Sequence, residues 1–290
     1  MSLQHAILEA TADGILVVNT DGEITSYNQQ FINLWGFAEK DLDWMNSNSR
    51  LAYVMKKVKE PEVFVSRINE IHSDSNGNSF DTIKRVNGRI LERYSRPQKI
   101  GDKVVGRVWS FRDVTEKHNL SEKLSFQANH DPLTGLVNRR EFEKRLVRLL
   151  SSVDAKSEHV MCYMDLDNFK QINDVYGHIA GDGLLKKISD LFQEQVRERD
   201  TLARLGGDEF GLIMEHCSIE QADKVANNFI RLLNECELKL EGKEFNVGVS
   251  IGIVKINDPR VGILEVMKNA DVACYAAKKS GRNCVQISLD

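Results

Sequence analysis

Turn signals in the first 115 residues constrain the fold most, because they cut this segment into short strands. An Asn19-Thr-Asp-Gly22 turn separates an apolar run at 14–18 from an alternating segment at 23–27, which predicts a β-hairpin. Residues 28–35 favour a helix. Further strands are predicted between the Asn-Gly and Gly-Asp turns that follow, at 79–86, 89–97 and 103–114. This segment is therefore predicted to be a small antiparallel sheet with helices inserted after its first two strands.

The later part of the chain alternates apolar strands with amphipathic helices. Helices are predicted at 139–150, 180–196, 219–235 and 265–279. Strands are predicted at 159–164, 201–205, 210–214 and 247–256. Asn138 is the expected N-cap of the first helix. A chain of 290 residues is longer than a single domain of ordinary size, so two domains of α+β class are predicted. The second is predicted to be a central sheet flanked by helices.

Composition excludes several classes of protein. The longest apolar runs fall far short of the ~20 residues of a membrane helix, and the first ten residues lack a basic start, so we expect a cytoplasmic protein with no membrane contact within this chain. A net charge of −4 argues against a general nucleic-acid binder. No pair of cysteines has C-x-x-C spacing, so reduced, packed thiols are expected at Cys162, Cys217, Cys236, Cys274 and Cys284.

A polar segment without Gly or Pro lies between the two parts, at 116–129. Leu120, Leu124 and Ala128 are four apart and share one helical face, which predicts a helical linker. Two turns of apolar spacing fit a short coiled coil and a helix packed on one domain about equally well.

Two acidic motifs are candidates for a metal site. Asp165 and Asp167 directly follow a buried strand, where a carboxylate can hold Mg²⁺, although a solvated turn with two exposed aspartates has the same pattern. Gly206 and Gly207 permit a tight hairpin tip, which Asp208-Glu209 follows. If that tip lies beside Asp165, three carboxylates converge, enough for two metal ions. The alternative is an ordinary hairpin with a charged tip.

Residues 5–115 resemble a PAS domain. The likeness lies in Asp13-Gly-Ile-Leu-Val-Val-Asn19, Asp21-Gly22, Tyr27-Asn-Gln-Gln-Phe31, Trp35-Gly-Phe37 and Phe111-Arg-Asp-Val-Thr115. The resemblance implies a sensory or dimerising role, with or without a small ligand, which the sequence does not identify and which is not expected to be covalently bound. No cysteine precedes Cys162, which excludes a flavin adduct in this domain, and His72 is expected to be a surface residue rather than a haem ligand.

Residues 130–287 resemble the GGDEF family of diguanylate cyclases, with a nucleotidyl-cyclase palm-like sheet. Six ordered motifs carry the likeness: 131–140, 165–178, Gly181-Asp182, 204–210, 249–252 and 270–283. The resemblance implies condensation of two GTP into cyclic di-GMP with release of two pyrophosphates. It implies one GTP per domain, hence a homodimer, regulated by the sensor.

The resemblance also implies roles for individual residues. The catalytic signature is Gly206, Gly207, Asp208 and Glu209, and two Mg²⁺ or Mn²⁺ ions would be held by Asp165, the Leu166 carbonyl, Asp208 and Glu209. Guanine would be read by Asn173 and Asp182, and a purine without guanine's donors would leave Asp182 buried and unpaired. Phosphates would be contacted by Lys278 and Arg282, four apart on one helical face, and by backbone amides near Phe169 and Lys170. His178 would line the nucleotide site.

A product-inhibition site is implied by the R-x-x-D pattern of Arg197 and Asp200, although Asn228 stands about where many members supply a further arginine. The rival interpretation is a non-catalytic module that binds GTP or cyclic di-GMP. Such a module would activate, for example, a C-terminal EAL phosphodiesterase domain. The amino-acid sequence at 210–217 and 273–275 is similar to that of proteins in which an EAL domain follows the GGDEF domain.

Overall fold

The computed structural model describes residues 3–38, 42, 45–153, 157–235, 238–240, 243–245 and 247–288. The chain divides into two compact units, Met1–Leu124 and Ser125–Asp290. Within the described ranges, no helix is both long enough and apolar enough to cross a membrane. Cys162, Cys217 and Cys274 are buried free thiols and Cys284 is a half-buried one, whereas Cys236 lies outside the described residues.

The first unit is an antiparallel sheet with the order β2-β1-β5-β4-β3. Its strands are β1 (Gly14–Asn19), β2 (Ile24–Tyr27), β3 (Ser79–Lys84), β4 (Ile90–Ile100) and β5 (Lys103–Asp113). Its helices are α1 (Leu3–Glu9), α2 (Gln29–Trp35), α3 (Ser47–Met55) and α4 (Pro61–Ser73). The predicted sheet is confirmed, with helices α2 to α4 inserted after β2. The helix α1 was not predicted.

Buried Asn28 fixes the junction of β2 and α2. Its side-chain oxygen accepts hydrogen bonds from Phe31 N, which caps α2, and from Ile15 N at 2.7 Å. Its amide donates to Leu8 O and to Asp13 O. One buried amide therefore joins α1, β1 and α2, and every one of its polar groups has a partner.

Aromatic side chains and one buried cation fill the core of the first unit. Arg93 is 1% exposed and donates two hydrogen bonds to Asp81, so its charge is paired. Its guanidinium lies 4.8 Å from the ring centroid of Phe64 and 5.4 Å from that of Trp109. Both rings and Arg93 line a cavity of about 300 Å³. His72 is exposed, as the sequence predicts.

The predicted linker is a helix, α5 (Thr115–Asn129). None of its residues is buried, and Leu120 and Leu124 are 55% and 56% exposed. The division between the two units falls at Leu124, inside this helix. The boundaries at residues 115 and 130 therefore stay predictions.

The second unit is a six-stranded sheet with the order β13-β12-β7-β9-β8-β6 and helices on both faces. The strands are β6 (Val137–Asn138), β7 (His159–Leu166), β8 (Thr201–Gly206), β9 (Glu209–Met214), β12 (Val249–Ile256) and β13 (Val285–Ile287), with a separate ribbon of β10 (Leu238–Leu240) and β11 (Lys243–Phe245). The helices are α6 (Arg139–Ser152), α7 (Phe169–Tyr176), α8 (His178–Gln193), α9 (Ile219–Glu235) and α10 (Ile263–Lys279).

The core of this unit has two halves, one on each side of the sheet. Phe192 and Phe229 stack between α8 and α9 on one side, with ring centroids 4.3 Å apart. Phe142 and Leu146 of α6 pack with Cys274 of α10 on the other. The central strand β7 contributes side chains to both halves, which explains why it is apolar along nearly its whole length.

Several predicted boundaries in the second unit were wrong, most of them after the first acidic motif. Helix α7 was not predicted, and α8 begins at His178 rather than at residue 180. Gly177, with φ of +82°, separates the two helices, so a polar stretch that reads as one loop forms two helices with a sharp turn between them. Strand β12 begins at Val249 rather than at residue 247.

Gly252→Ala is expected to destabilise the second unit, because α10 packs directly on the backbone of β12 at this position. An added Cβ would lie 2.2 Å from Ala270 O and 2.3 Å from Cys274 N. The free energy of unfolding should fall by about 1–3 kcal/mol, the usual cost of overpacking a core. Differential scanning calorimetry measures it. Gly262→Ser is the control, since space at Gly262 is open, and equal midpoints for the two variants would contradict the prediction.

Candidate active site

The pairing of β7 with β9 brings the two acidic motifs together at one end of the sheet. Asp165 lies directly opposite Glu209 in the antiparallel register, and Leu166 N donates to Asp208 O at 3.2 Å. Gly207 forms the hairpin tip with φ of +50°. Apart from Gly207 and its two chain neighbours, no heavy atom of the described residues lies within 4 Å of the place where a Cβ at Gly207 would be. The acidic residues therefore flank a tip with open space above it.

Arg204 holds the hairpin tip in place. Its Nε donates to Gly207 O at 2.9 Å, and its Nη1 lies 3.0 Å from Asp131 Oδ1. Although burial raises it, the hydrogen bonds from Thr134 and the charge of Arg204 together lower the pKa of Asp131. Asp131 and Arg204 belong to the sequence motifs of this domain, but the sequence predicted no role for either. In the structure they connect the loop after α5 to the hairpin tip.

Two of the acidic side chains, those of Asp165 and Glu209, are engaged with a cation or a donor. Lys278 Nζ lies 2.6 Å from Asp165 Oδ2. Burial raises the pKa of Asp165 even though Lys278 opposes that shift. Burial and a hydrogen bond to Glu209 raise the pKa of the Tyr163 hydroxyl. In the part of the chain that the structure describes, no three His, Cys, Asp or Glu side chains are arranged to hold a metal ion as they stand.

The backbone brings the three acidic residues close together, as predicted. Their side chains, however, do not converge on one point. Electrostatics explains the difference, since neighbouring carboxylates repel one another, and Asp165 and Glu209 contact a nearby cation and a nearby donor instead. The donor set still fits Mg²⁺ or Mn²⁺, because Asp165, Asp208, Glu209 and the Leu166 carbonyl all offer oxygen atoms. The Lys278 ammonium group already forms an ion pair with Asp165.

Asp167 is a structural residue, and the alternative of two exposed aspartates was wrong for it. It is 6% exposed and accepts hydrogen bonds from Ser250 Oγ at 2.7 Å and from Asn283 N at 2.9 Å. It therefore ties the end of β7 to β12 and to the turn after α10. Sequence reasoning missed this role because the partners lie 83 and 116 residues away.

The start of α7 offers backbone donors beside the acidic residues. Asn168 adopts a left-handed conformation with φ of +57° and reverses the chain into α7. The Phe169 side chain is buried in the core, so its contribution to a site is its amide, and the Lys170 side chain is exposed. The first amides of a helix have no intrahelical acceptor and favour anions such as phosphate.

Asn173 and Gly181 meet where α7 and α8 approach each other. A Cβ at Gly181 would lie 1.9 Å from Asn173 Oδ1, so only glycine leaves room for this amide. Asn173 is half-buried, whereas Asp182 and His178 are exposed. That a bound purine would bury Asp182 stays a prediction.

Lys278 and Arg282 do not share one helical face, and that prediction was wrong. Helix α10 ends at Lys279, and Arg282 follows in a left-handed turn with φ of +65°. The turn is needed because β13 must run parallel to β12 on the adjacent edge of the sheet. Arg282 is exposed there, with its N–H donating to Ala277 O at 3.1 Å.

Comparison with known families agrees with this geometry. Residues 128–284 match the family model of the diguanylate cyclase GGDEF domain, and residues 2–62 match that of the PAS domain. The chain belongs to the GGDEF family. It is a PAS segment followed by a GGDEF domain.

Relatives of this GGDEF chain include proteins named for synthesis and proteins named for degradation of cyclic di-GMP. The probable diguanylate cyclase DgcE of Escherichia coli K12 is 44% identical over 184 residues, 63% of this chain and 17% of that protein. The cyclic di-GMP phosphodiesterase PdeB of Shewanella oneidensis is 29% identical over 98% of this chain and 32% of that protein. The chain therefore spans less than a third of the length of these two relatives.

Solved structures agree on the fold of the GGDEF domain. The coiled coil and GGDEF domain of DgcB from Caulobacter crescentus, in complex with c-di-GMP, is similar with a TM-score of 0.57. The two chains are 26% identical, and the match covers 60% of this chain and 93% of that one.

The R-x-x-D pattern of this GGDEF domain lies in the turn between α8 and β8. Arg197 is exposed, and Asp200 is half-buried and accepts from Glu215 N at 3.2 Å. Asn228 on α9 donates to the Gln195 side chain, and Arg231, one turn further along, donates to Asn228 Oδ1 at 2.6 Å. Arg231 was missed, although its spacing of three from Asn228 placed it on the same helical face.

Proposed function

We propose that this chain is a diguanylate cyclase that condenses two GTP molecules into cyclic di-GMP and two pyrophosphates. The observation that carries the proposal is the position of Asp165 opposite Glu209, beside a glycine tip with open space above it. A carboxylate pair at a strand end, beside a turn without side chains, suits metal-assisted nucleotidyl transfer.

Phosphate binding is assigned to groups around the acidic residues. Asp165, the Leu166 carbonyl, Asp208 and Glu209 would hold two Mg²⁺ or Mn²⁺ ions, which when bound neutralise the triphosphate and polarise its α-phosphorus. Lys278 then leaves Asp165 and contacts a phosphate oxygen. The amides of Phe169 and Lys170 and the Arg282 guanidinium would contact the remaining phosphate oxygens.

Base recognition is assigned to Asn173 and Asp182. An asparagine amide pairs with the guanine edge, and a carboxylate accepts from guanine N1 and N2. Adenine lacks those donors and would leave both protein groups unpaired, which gives selectivity for GTP. His178, four residues before Asp182 on α8, would line the same site.

In the proposed reaction, the 3′-hydroxyl of one GTP attacks the α-phosphorus of the other, and pyrophosphate leaves. The 3′-hydroxyl of the second GTP then attacks the α-phosphorus of the first, a second pyrophosphate leaves, and the ring closes. Asp208 is the proposed acceptor of the hydroxyl proton. Because each domain would hold one GTP, two copies must face each other, and we propose a homodimer as the active form.

Two kinds of regulation are also proposed. Arg197 and Asp200 would bind the product and inhibit turnover, with Arg231 close enough to Asn228 to supply a further cation. The PAS segment would set the activity through α5, whose Leu120 and Leu124 are exposed and available to a second helix. An insertion of four residues into α5 that left turnover unchanged would contradict the second proposal.

A second candidate function is a non-catalytic module that binds GTP or cyclic di-GMP. The relative that matches 98% of this chain is named a phosphodiesterase, which favours this candidate for the longer proteins of the family. The retained acidic residues and glycine tip favour the enzyme.

Incubation of the full chain with GTP and Mg²⁺ is expected to give cyclic di-GMP, detected by chromatography. Asp208→Asn should lower turnover by about 100-fold or more, because it removes a proton acceptor and a metal ligand. Asp190→Asn, at an exposed aspartate on α8, is the matched control and should keep parental turnover. A folded parent that forms no product would favour the non-catalytic module.

Gly181→Ala is expected to weaken guanine recognition, because the added methyl group would displace the Asn173 amide. The KM for GTP should rise by about tenfold or more, the value of one lost hydrogen bond to the base. The ratio of kcat/KM for GTP to that for ATP, whose adenine would leave both Asn173 and Asp182 unpaired, reports selectivity. Gly262→Ala adds its methyl group in open space and should keep the parental KM. Unchanged KM for Gly181→Ala would refute the role of Asn173.

Arg197→Ala is expected to relieve product inhibition by about tenfold, since one charged hydrogen-bond donor is lost. Calorimetric titration with cyclic di-GMP measures the affinity, and initial rates at increasing product measure the inhibition. Arg199→Ala removes an exposed arginine outside the pattern and should behave as the parent. If both variants bind cyclic di-GMP as the parent does, the inhibitory site lies elsewhere.

A further inference from the structure

Tyr163 lies between two glycines in the sheet of the second unit. The residue opposite it on β9 is Gly211, and the residue opposite it on β12 is Gly252. A Cβ at Gly211 would lie 2.7 Å from the Phe142 ring, and one at Gly252 would lie 2.2 Å from Ala270 O. Helices α6 and α10 therefore pack closely against the sheet on either side of Tyr163.

Close packing on both sides fixes the orientation of the Tyr163 ring. The side chain is 6% exposed and belongs to the same half of the core as Phe142 and Cys274. Protein interiors are packed as densely as organic crystals, so a large ring between two helices has little freedom to turn. The position of the Tyr163 hydroxyl is therefore set by the core.

The Tyr163 hydroxyl reaches an acidic residue of the candidate site. Tyr163 and Asp165 are two apart on β7 and share one face of the sheet, and Glu209 lies opposite Asp165. Tyr163 and Glu209 are thus diagonal neighbours, a separation of about 7–8 Å that an aromatic side chain can span. The hydroxyl donates a hydrogen bond to the Glu209 carboxylate.

The partners of the two acidic residues differ in one respect that matters for a metal ion. Lys278 carries a positive charge and must leave Asp165 before a cation can bind there. The Tyr163 hydroxyl is neutral, so it can keep its hydrogen bond while the carboxylate binds a cation. Glu209 is half-buried and has two oxygen atoms, and the one that Tyr163 does not contact remains for the metal ion.

We infer that Tyr163 is a positioning residue for the divalent metal ion, because its hydroxyl holds the Glu209 carboxylate with one oxygen atom left for the ion. The inference rests on the proposed function, in which Asp165 and Glu209 are metal ligands. Hydrogen bonds that orient a metal ligand typically contribute about 10–100-fold to metal affinity or activity.

Tyr163→Phe and Tyr94→Phe form a matched pair of variants. Both remove a tyrosine hydroxyl that donates to a glutamate, since Tyr94 OH lies 3.4 Å from Glu92 Oε2 in the first unit. Titration of the full chain with MnCl₂, followed by the electron paramagnetic resonance signal of free Mn²⁺, measures metal binding without nucleotide. Turnover of GTP at increasing Mg²⁺ gives the half-maximal Mg²⁺ concentration and the limiting kcat.

We expect Tyr163→Phe to bind Mn²⁺ about tenfold more weakly than the parent and to need about tenfold more Mg²⁺ for half-maximal turnover. The limiting kcat should stay within about threefold of the parent, because saturating Mg²⁺ restores the same complex. A packing defect would instead lower the unfolding midpoint or kcat and leave metal affinity unchanged. Tyr94→Phe should match the parent in both measurements.

Glu209→Gln tests whether Tyr163 acts through Glu209. Two residues that act as a unit have effects that do not add. Tyr163→Phe placed in the Glu209→Gln background should therefore change Mn²⁺ affinity by less than about twofold.

Four results would overturn the inference. They are parental Mn²⁺ affinity of Tyr163→Phe, an equal defect in Tyr94→Phe, a full tenfold effect in the Glu209→Gln background, or no Mn²⁺ binding by the parent. A parent that forms no cyclic di-GMP would refute the proposed enzyme, whereas a tenfold loss of Mn²⁺ affinity in Tyr163→Phe would still support the inference.

Discussion

The antiparallel register of β7 and β9 is the constraint on which the candidate site depends. It sets Asp165 opposite Glu209, and it is fixed by apolar side chains that are buried on both faces of β7. A slip of one residue would reverse every side chain and turn Asp165 toward the opposite face of the sheet. The position of the acidic residues is therefore determined by the hydrophobic core and needs no direct attraction between them.

Two of the three carboxylates at this end of the sheet have a partner, which offsets part of the concentrated negative charge. Lys278 pairs with Asp165, and the Tyr163 hydroxyl donates to Glu209. These contacts stabilise the chain before any ligand arrives, and they also keep the oxygen atoms from facing a single point. In the proposed enzyme, metal and triphosphate would displace Lys278 from Asp165, so Lys278 would change its contact from carboxylate to phosphate without leaving the site.

The sequence predicted those elements whose pattern is local. Helix α9 has the predicted bounds because seventeen residues of amphipathic spacing leave little ambiguity, and the hairpin of β8 and β9 follows from its two glycines. Helix α7 was missed because it is eight residues long and ends at a glycine that resembles a loop signal. The burial of Asp167 and the turn at Arg282 depend on strands far along the chain, and no local pattern encodes such contacts.

An active site for one molecule of substrate is usually enclosed, and the site of this chain is open on one side. Asp182, His178 and Arg282 are exposed, and the space above Gly207 is empty of protein among the described residues. An open site discriminates less well between substrates, and it admits water, which competes with the attacking hydroxyl. A reaction between two identical bound substrates removes this disadvantage, because the second copy supplies both the missing wall and the other reactant. An open surface beside the proposed guanine readers is therefore what the proposed chemistry requires of a single chain.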